Sequence, residues 1–223
     1  MYINCAQGRN RVPFTIYIAA ALILNGCAGL FIDRYGYVAP DTTPVRDDRS
    51  AVFIPENAPS ISQGFKPHPK GETLSADHNG IDIFSKFGTP VIAPASGIVI
   101  KSYFEPVYGR RNVIEHGQDK NGLFFKTNYF HLKKQFVKKG DRVVRGQQIG
   151  LLGMTGLLAG FPHLHFEVQV RNISEHTQFT HKNPHRFWVD GVGIVTCFDS
   201  AKQWEEKPFK ITYPVPCQGV DWQ

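Results

Sequence analysis

Nine histidines occur in 223 residues, and several are spaced, with one aspartate, so that a regular backbone would aim them together. His78 and Asp82 are four apart in His78-Asn79-Gly80-Ile81-Asp82. A helix would put them on one face, but Asn79-Gly80 resists helix. A strand also returns to the same face at i+4, because its side chains alternate. Ile81-Asp82-Ile83 suits a strand. His163-Leu164-His165 follows the same rule at a spacing of two: both imidazoles point one way, Leu164 and Phe166 the other. A sheet could thus present His78, Asp82, His163 and His165 to one cleft. Two imidazoles and a carboxylate, with a fourth position left for water, make the ligand set of a catalytic zinc site. Taken singly, these spacings are weak signals. Surface polar residues or a hydrogen-bonded strand histidine explain each of them as well.

Strands have to position such a site, and the composition provides for them. The hydrophobic fraction is 42% and charged residues are 20%, so most of the chain can bury a core and global disorder is excluded. The length suits one full domain with extras. Gly (21), Pro (15), Phe (17) and Tyr (8) are plentiful, which favours a turn-rich β protein over a helical bundle. Short β signals recur at 90–94, 97–103, 111–116, 123–131, 142–152 and 163–170, punctuated by Gly and Pro as in a sandwich or barrel. Long helical patterns are absent, and no internal repeat points to a solenoid or propeller. The expected fold is all-β: an antiparallel sheet or sandwich domain over 53–171 with an active-site groove, followed by a loop-rich C-terminal extension over 172–223.

The N-terminus reads as an address. Arg9 and Arg11 precede an apolar run over 12–24. That run falls short of the roughly 20 residues that span a bilayer, and it fits a secretory signal over 1–26. Leu24-Asn25-Gly26-Cys27 resembles a bacterial lipobox, in which cleavage leaves Cys27 as the lipid-carrying N-terminus. An ordinary signal peptide with an incidental cysteine is the alternative. Ala28, where an Asp would favour retention in the inner membrane, leans by the same resemblance to an outer-membrane anchor facing the periplasm. Residues 27–52 hold Pro40, Pro44 and mixed charges and read as a tether. The net charge falls from +6 to +4 once 1–26 are removed. Without a basic run, that excess argues against nucleic acid as a partner. Lys133-Lys134 and Lys138-Lys139 form a small basic cluster, read as a solvated loop or a weak attraction for an anionic polymer. Cys5 lies within the signal. Cys197 and Cys217, 20 apart and bound for an oxidising compartment, form a disulfide or stay as two thiols.

The residues around the histidines narrow the reading. His78-Asn79-Gly80-Ile81-Asp82-Ile83 is followed by Gly88-Thr89-Pro90-Val91-Ile92-Ala93-Pro94 and Gly97-Ile98-Val99. Tyr129-Phe130-His131-Leu132, Lys139-Gly140-Asp141-Arg142-Val143 and Arg145-Gly146-Gln147-Gln148-Ile149-Gly150 come next. Gly153-Met154-Thr155-Gly156 and His163-Leu164-His165-Phe166-Glu167 close the series. In this order, from about residue 60 to 171, the chain resembles the lysostaphin/LytM-type zinc peptidase domain. The resemblance implies a compact antiparallel β domain with a groove across one sheet. It implies that His78, Asp82 and His165 bind Zn2+ and that His131 and His163 flank the open position. One of these two would serve as a base near neutrality. The other would hydrogen-bond the developing oxyanion, and the assignment between them stays open.

Other residues draw weaker readings. Glu167 could share the active face as a partner of His165 or be a structural polar residue. Tyr129 could touch substrate or pack in the core. His181 and His185 are four apart, but Pro184 between them spoils a helical pair. His68, His116 and His176 read as exposed or turn residues. After Gly64-Phe65 the family often has an Arg, and here Lys66 follows, so the groove edge over 67–77 is expected to differ.

The implied function is a zinc-dependent endopeptidase that hydrolyses peptide cross-links of bacterial peptidoglycan in the cell envelope. No wall-binding repeat is visible, so a protein regulator or adaptor is a possible partner. The alternative is an inactive LytM-like module that binds the wall or activates other hydrolases. Such modules are marked by lost His or Asp positions, and all five are present here. A third reading keeps the metal but gives it a structural task.

Overall fold

The computed structural model describes residues 51–66, 77–174 and 178–223. The proposed signal, Cys27 and the tether up to residue 50 lie outside the described residues, as do His68 and His176.

The pattern of short strands separated by turns resolves into eleven strands in two antiparallel sheets. The larger sheet runs in the order β1 (Ile61–Gln63), β2 (Ile81–Phe84), β10 (His163–Asn172), β6 (Leu123–Leu132), β5 (Gly109–Gln118), β4 (Gly97–Glu105) and β8 (Arg142–Val143). β11 (Thr180–Lys182) pairs with β10 beyond the end of β2. The smaller sheet is β3 (Pro90–Ile92), β9 (Gln148–Leu151) and β7 (Lys134–Gln135). Among the described residues there is no α-helix, and one 3-10 turn covers Pro184–Arg186. The antiparallel all-β class expected from the sequence is the class observed.

Alternation explains why the central strands lie as they do. In β10, Leu164, Phe166 and Val168 are wholly buried in the apolar core. His163, His165, Glu167 and Gln169 therefore fall on the opposite face. In β2, Ile81 and Ile83 enter the same core and Asp82 faces away. Residues directly opposite across a strand pair share a face, and His165 stands opposite Asp82 while Phe166 stands opposite Tyr129. A slip of one residue would drive the histidines into the core and the aliphatics into the groove. Each of these buried side chains is worth about 1.5–3 kcal/mol, so the register that holds the site is fixed by the core beneath it.

The smaller sheet closes the other side of that core with Val91 and Ile149. Asn112 Nδ2, wholly buried in β5, donates to the Ile149 carbonyl at 3.1 Å and ties the sheets together.

The C-terminal stretch has few regular elements, yet it is no appendage. Trp188, Ile211, Tyr213 and Val215 are wholly buried and belong to the same core. Tyr213 Oη donates to the Pro59 carbonyl at 2.7 Å, and Thr212 N donates to the Pro94 carbonyl at 3.0 Å. Ile211, Tyr213, Val215 and Cys217 alternate with Thr212, Pro214 and Pro216, but the prolines make that short period-two run read as a loop. Cys197 and Cys217 are joined by a disulfide.

A chain ending at residue 183 is accordingly expected to lose cooperative unfolding, as followed by circular dichroism, and not to display a freer groove. Replacing Cys197 and Cys217 by Ser is expected to keep the fold but lower its stability by about 3 kcal/mol. That figure is the loop-closure entropy of a bridge spanning 20 residues, and guanidinium titration reads it.

Candidate active site

Three side chains converge at the boundary of β2 and β10. His165 Nδ1 lies 2.8 Å from Asp82 Oδ1, and His78 Nε2 lies 3.1 Å from that oxygen and 3.0 Å from His165 Nδ1. Asp82 and His165 meet because they are register partners. His78 arrives differently. β2 begins only at Ile81, so strand alternation does not align His78 with Asp82. His78 instead forms an isolated bridge with Lys66, and the chain bends at Asn79-Gly80 to enter β2. Gly80 makes this bend possible: a Cβ there would stand 2.3 Å from the Phe166 carbonyl oxygen. The backbone thus lies directly on β10, where no side chain fits.

The donor set and its size fit a small divalent ion. Two imidazole nitrogens and a carboxylate oxygen are zinc ligands, and a tetrahedron with bonds of 2.0–2.1 Å has edges of roughly 3.3 Å. The observed edges of 2.8–3.1 Å come close to that. Three acceptors at such distances require a proton or a cation among them. Burial opposes ionisation of Asp82, but hydrogen bonds from His165 and His78 outweigh it and hold the carboxyl well below the usual range. Burial likewise opposes charge on His165, and the carboxylates of Asp82 and Glu167 override it, raising its pKa to about 9.

The second ring nitrogen of each histidine is pinned. His78 Nδ1 donates to the Gly64 carbonyl at 2.8 Å. His165 Nε2 lies 3.3 Å from Glu167 Oε1. Burial opposes ionisation of Glu167, and hydrogen bonds to His165 and His181 bring its pKa down to about 2. It therefore accepts at neutral pH. Each pin holds one ring nitrogen outward and turns the other towards the site, where a metal can take the place of its proton.

His131 and His163 repeat the device. His131 Nδ1 donates to the Thr155 carbonyl at 2.9 Å and His163 Nδ1 to the Phe161 carbonyl at 2.8 Å. Their rings lie 4.7 Å apart, and His163 Nε2 is 3.9 Å from Asp82 Oδ1. His163 reaches the groove by alternation in β10. His131 reaches it by breaking alternation. Between the pairs Arg110–Leu132 and Asn112–Tyr129, β6 holds one residue more than β5, a β-bulge. His131 has φ 59°, in the left-handed region, and no other non-glycine described residue shares it. Such a backbone costs on the order of 1–3 kcal/mol. Without the bulge, its ring would follow Tyr129 into the core. Burial lowers the His131 pKa to about 4, so the ring is neutral at pH 7.

These side chains line a cleft of about 420 Å³. Two of its walls, Arg111 and Phe130, have no role from the sequence, and His181 is considered there only as a partner of His185. Arg111 and Phe130 face the cleft from β5 and β6. His181 of β11 approaches Glu167 Oε2 at 3.4 Å. His185 does not join it: buried, it accepts a hydrogen bond from Trp188 Nε1 at 3.0 Å. Tyr129 is a core residue, wholly buried with its hydroxyl 2.8 Å from Thr127 Oγ1. His116 sits half-buried between Ser96 and Thr127, away from the cleft. A polar partner for a ligand histidine could be sought two residues along a strand, and Glu167 answers that signal. Arg111 and His181 carry no local motif.

Residues 76–178 match Peptidase family M23. Over 114 residues it is 44% identical to the peptidoglycan DD-endopeptidase ShyA of Vibrio cholerae, covering 50% of this chain and 25% of that protein. It is 40% identical over 114 residues to lysostaphin of Staphylococcus simulans, covering 51% and 22% respectively. The chain thus spans about a quarter of the length of these relatives. Among solved structures it is similar to the catalytic domain of the antimicrobial peptidase lysostaphin from Staphylococcus simulans. There the identity is 33% and the TM-score 0.45, with 56% of this chain and 89% of that one covered.

The basicity of His165 makes metal binding a proton exchange. Below its pKa of about 9 the ring must lose a proton to bind a metal. Zinc added to the metal-free protein at pH 7 is therefore expected to release about one proton, with apparent affinity rising up to tenfold per pH unit towards pH 9. Calorimetry in buffers of different ionisation enthalpy reads both. Glu167→Gln, which removes the carboxylate behind His165, is expected to weaken zinc binding by about 10- to 100-fold.

Proposed function

We propose that this chain belongs to peptidase family M23 and is a zinc-dependent endopeptidase that hydrolyses peptide cross-links of bacterial peptidoglycan. The observation that carries the reading is a compact triangle of His78, Asp82 and His165 donors with two pinned imidazoles, His131 and His163, beside it. The triangle would hold Zn2+. When bound, the ion supplies a water of lowered pKa and polarises the scissile carbonyl. Everything else falls to the chain. Both His131 and His163 give up Nδ1 to a backbone carbonyl and so keep Nε2 free for the reaction. One ring takes the proton of the attacking water at Nε2 and passes it to the leaving amine. The other, in its protonated state, donates to the oxyanion. Asp82 Oδ1 lies 3.9 Å from His163 Nε2, so that ring stands at the edge of the triangle.

The peptidoglycan substrate is supported by the names of the relatives. Location at the envelope agrees with it. In this reading residues 1–26 are a lipoprotein signal, Cys27 carries the lipid, and 27–52 tether the domain to the outer membrane on its periplasmic side. About 25 residues of flexible chain reach on the order of 25–30 Å, so cutting would be confined near the anchor unless a protein adaptor extends it.

The test uses the soluble chain from residue 28, loaded with zinc and incubated with purified sacculi, with muropeptides resolved by mass spectrometry. Cross-linked dimers are expected to fall and monomers to appear, and a chelator abolishes both changes. An unchanged profile with zinc bound would point to the wall-binding or activating module instead. His165→Ala is expected to lose zinc and activity together. His131→Ala and His163→Ala are expected to keep zinc while losing at least about 100-fold in kcat/KM.

A further inference from the structure

We infer that Arg111 is the specificity residue of the cleft, and that it takes a carboxylate carried on the carbon next to the scissile amide nitrogen. The inference rests on the peptidase reading above and deepens it. Among the described residues, Arg111 is the one lysine or arginine that lines the cleft with the metal-site histidines. Its position is rigid. The guanidinium carbon lies 4.0 Å from the centre of the Phe130 ring and 5.4 Å from that of Tyr108. Phe130 in turn meets His165 edge-on at 4.8 Å. One aromatic ring therefore separates the guanidinium from a proposed metal ligand. A cation held by rings on a buried stem loses little freedom when it binds an anion.

Its hydrogen-bonding capacity is only partly used. The Nη1 group donates to Glu105 Oε1 at 2.6 Å. The Nε–H is buried and has no hydrogen-bond partner in the structure. Arginine presents its donors as a planar fork that matches a carboxylate two bonds at a time. Glu105 takes one of the five N–H groups, which leaves the Nη2 arm for a ligand. The two carboxylates deep in the cleft, Asp82 and Glu167, are taken by histidines. An incoming carboxylate would thus find a placed cation with a donor to spare.

That chemistry distinguishes classes of cross-link. Where the bridging amine belongs to diaminopimelate, the carbon bearing the scissile nitrogen also bears a carboxylate. Where it belongs to a lysine side chain, that carbon bears none, and inside a glycine bridge the carboxyl at that point is tied up in the next amide. Arg111 selects the first class.

The experiment compares two purified peptide dimers that differ only in whether that diaminopimelate carboxyl is free or amidated. The zinc-loaded protein is expected to cut the free form about 10- to 100-fold faster in kcat/KM, the span of one charge-assisted hydrogen bond. Arg111→Met, which keeps the apolar stacking, is expected to erase the preference by slowing the free form alone, and Arg111→Lys to keep part of it. Equal cutting of both dimers by the unaltered protein overturns the inference, as does an equal loss on both in a folded Arg111→Met protein. A second arm measures binding by calorimetry, using the diaminopimelate tripeptide product in free and amidated forms. If neither dimer is cut, the peptidase reading fails and this arm decides. Tighter binding of the free form, lost in Arg111→Met, upholds Arg111 as a carboxylate site, and equal or absent binding of both forms overturns it.

Discussion

Each imidazole of the site is fixed through the nitrogen that does not face it. A neutral histidine has one donor and one acceptor, and whichever nitrogen is tied to an outside acceptor leaves the other bare. Gly64, Thr155 and Phe161 supply backbone carbonyls for His78, His131 and His163, and Glu167 supplies a carboxylate for His165. Much of the surrounding backbone can be understood as the means of bringing these acceptors into place. The loop over 153–161 carries two of them, and the bridge that seats His78 runs through Lys66, two residues from a third. The choice of carbonyl or carboxylate also sets basicity. Burial holds His131 down to about 4 against its bond to the Thr155 carbonyl, while the two carboxylates beside His165 overcome its burial and raise it to about 9. One fold thus makes a weakly basic ring and a strongly basic one a few ångströms apart.

β10 is the element on which both tasks of the sheet meet. Its even-numbered residues fasten the strand into the core, and its odd-numbered ones carry two site histidines, the supporting Glu167 and then Gln169. Because the two sets alternate, any change that loosens the core side displaces the chemical side by a fraction of the same movement. His131 escapes this coupling. It stands on a bulge in a left-handed conformation, and the neighbouring loop holds it there through its own N–H bond to the Tyr108 carbonyl and its ring bond to Thr155. The local strain is sustained by those contacts, which is how a strand residue can be turned out of its natural face.

Much of this arrangement was legible in the sequence, for a physical reason. The HxH pair, Asp82 flanked by isoleucines and the Gly/Pro-punctuated β runs are short-range patterns, and a strand's period of two converts them directly into faces. The all-β class and the placing of His163, His165 and Asp82 on one face followed from that. Legibility ended where long-range contacts decide. His78 meets Asp82 because Gly80 lets the chain lie on Phe166, which no period expresses. The bulge at His131 has no sequence signature beyond the residue itself. Trp188 lies more than twenty residues before Ile211 and Tyr213 in a stretch without strands, and they become core only because the first half of the chain leaves them room. Arg111 reads only as the first residue of the β run over 111–116 until β5 is seen to begin at the cleft.

The electrostatics of the cleft explain why a single arginine can matter there. Asp82 and Glu167 are buried carboxylates, and together they carry two negative charges, enough to balance one divalent ion. A cleft balanced in this way has no strong long-range pull on an anionic peptide, and the chain's modest positive excess adds little at close quarters. Arg111 is itself partly balanced by Glu105. Discrimination must then come from contact geometry, from the guanidinium donors that Glu105 leaves unused, and not from a general field. Local pairing of almost every charge, with those donors withheld, lets a small β domain keep both a tight metal triangle and a selective wall within one cleft.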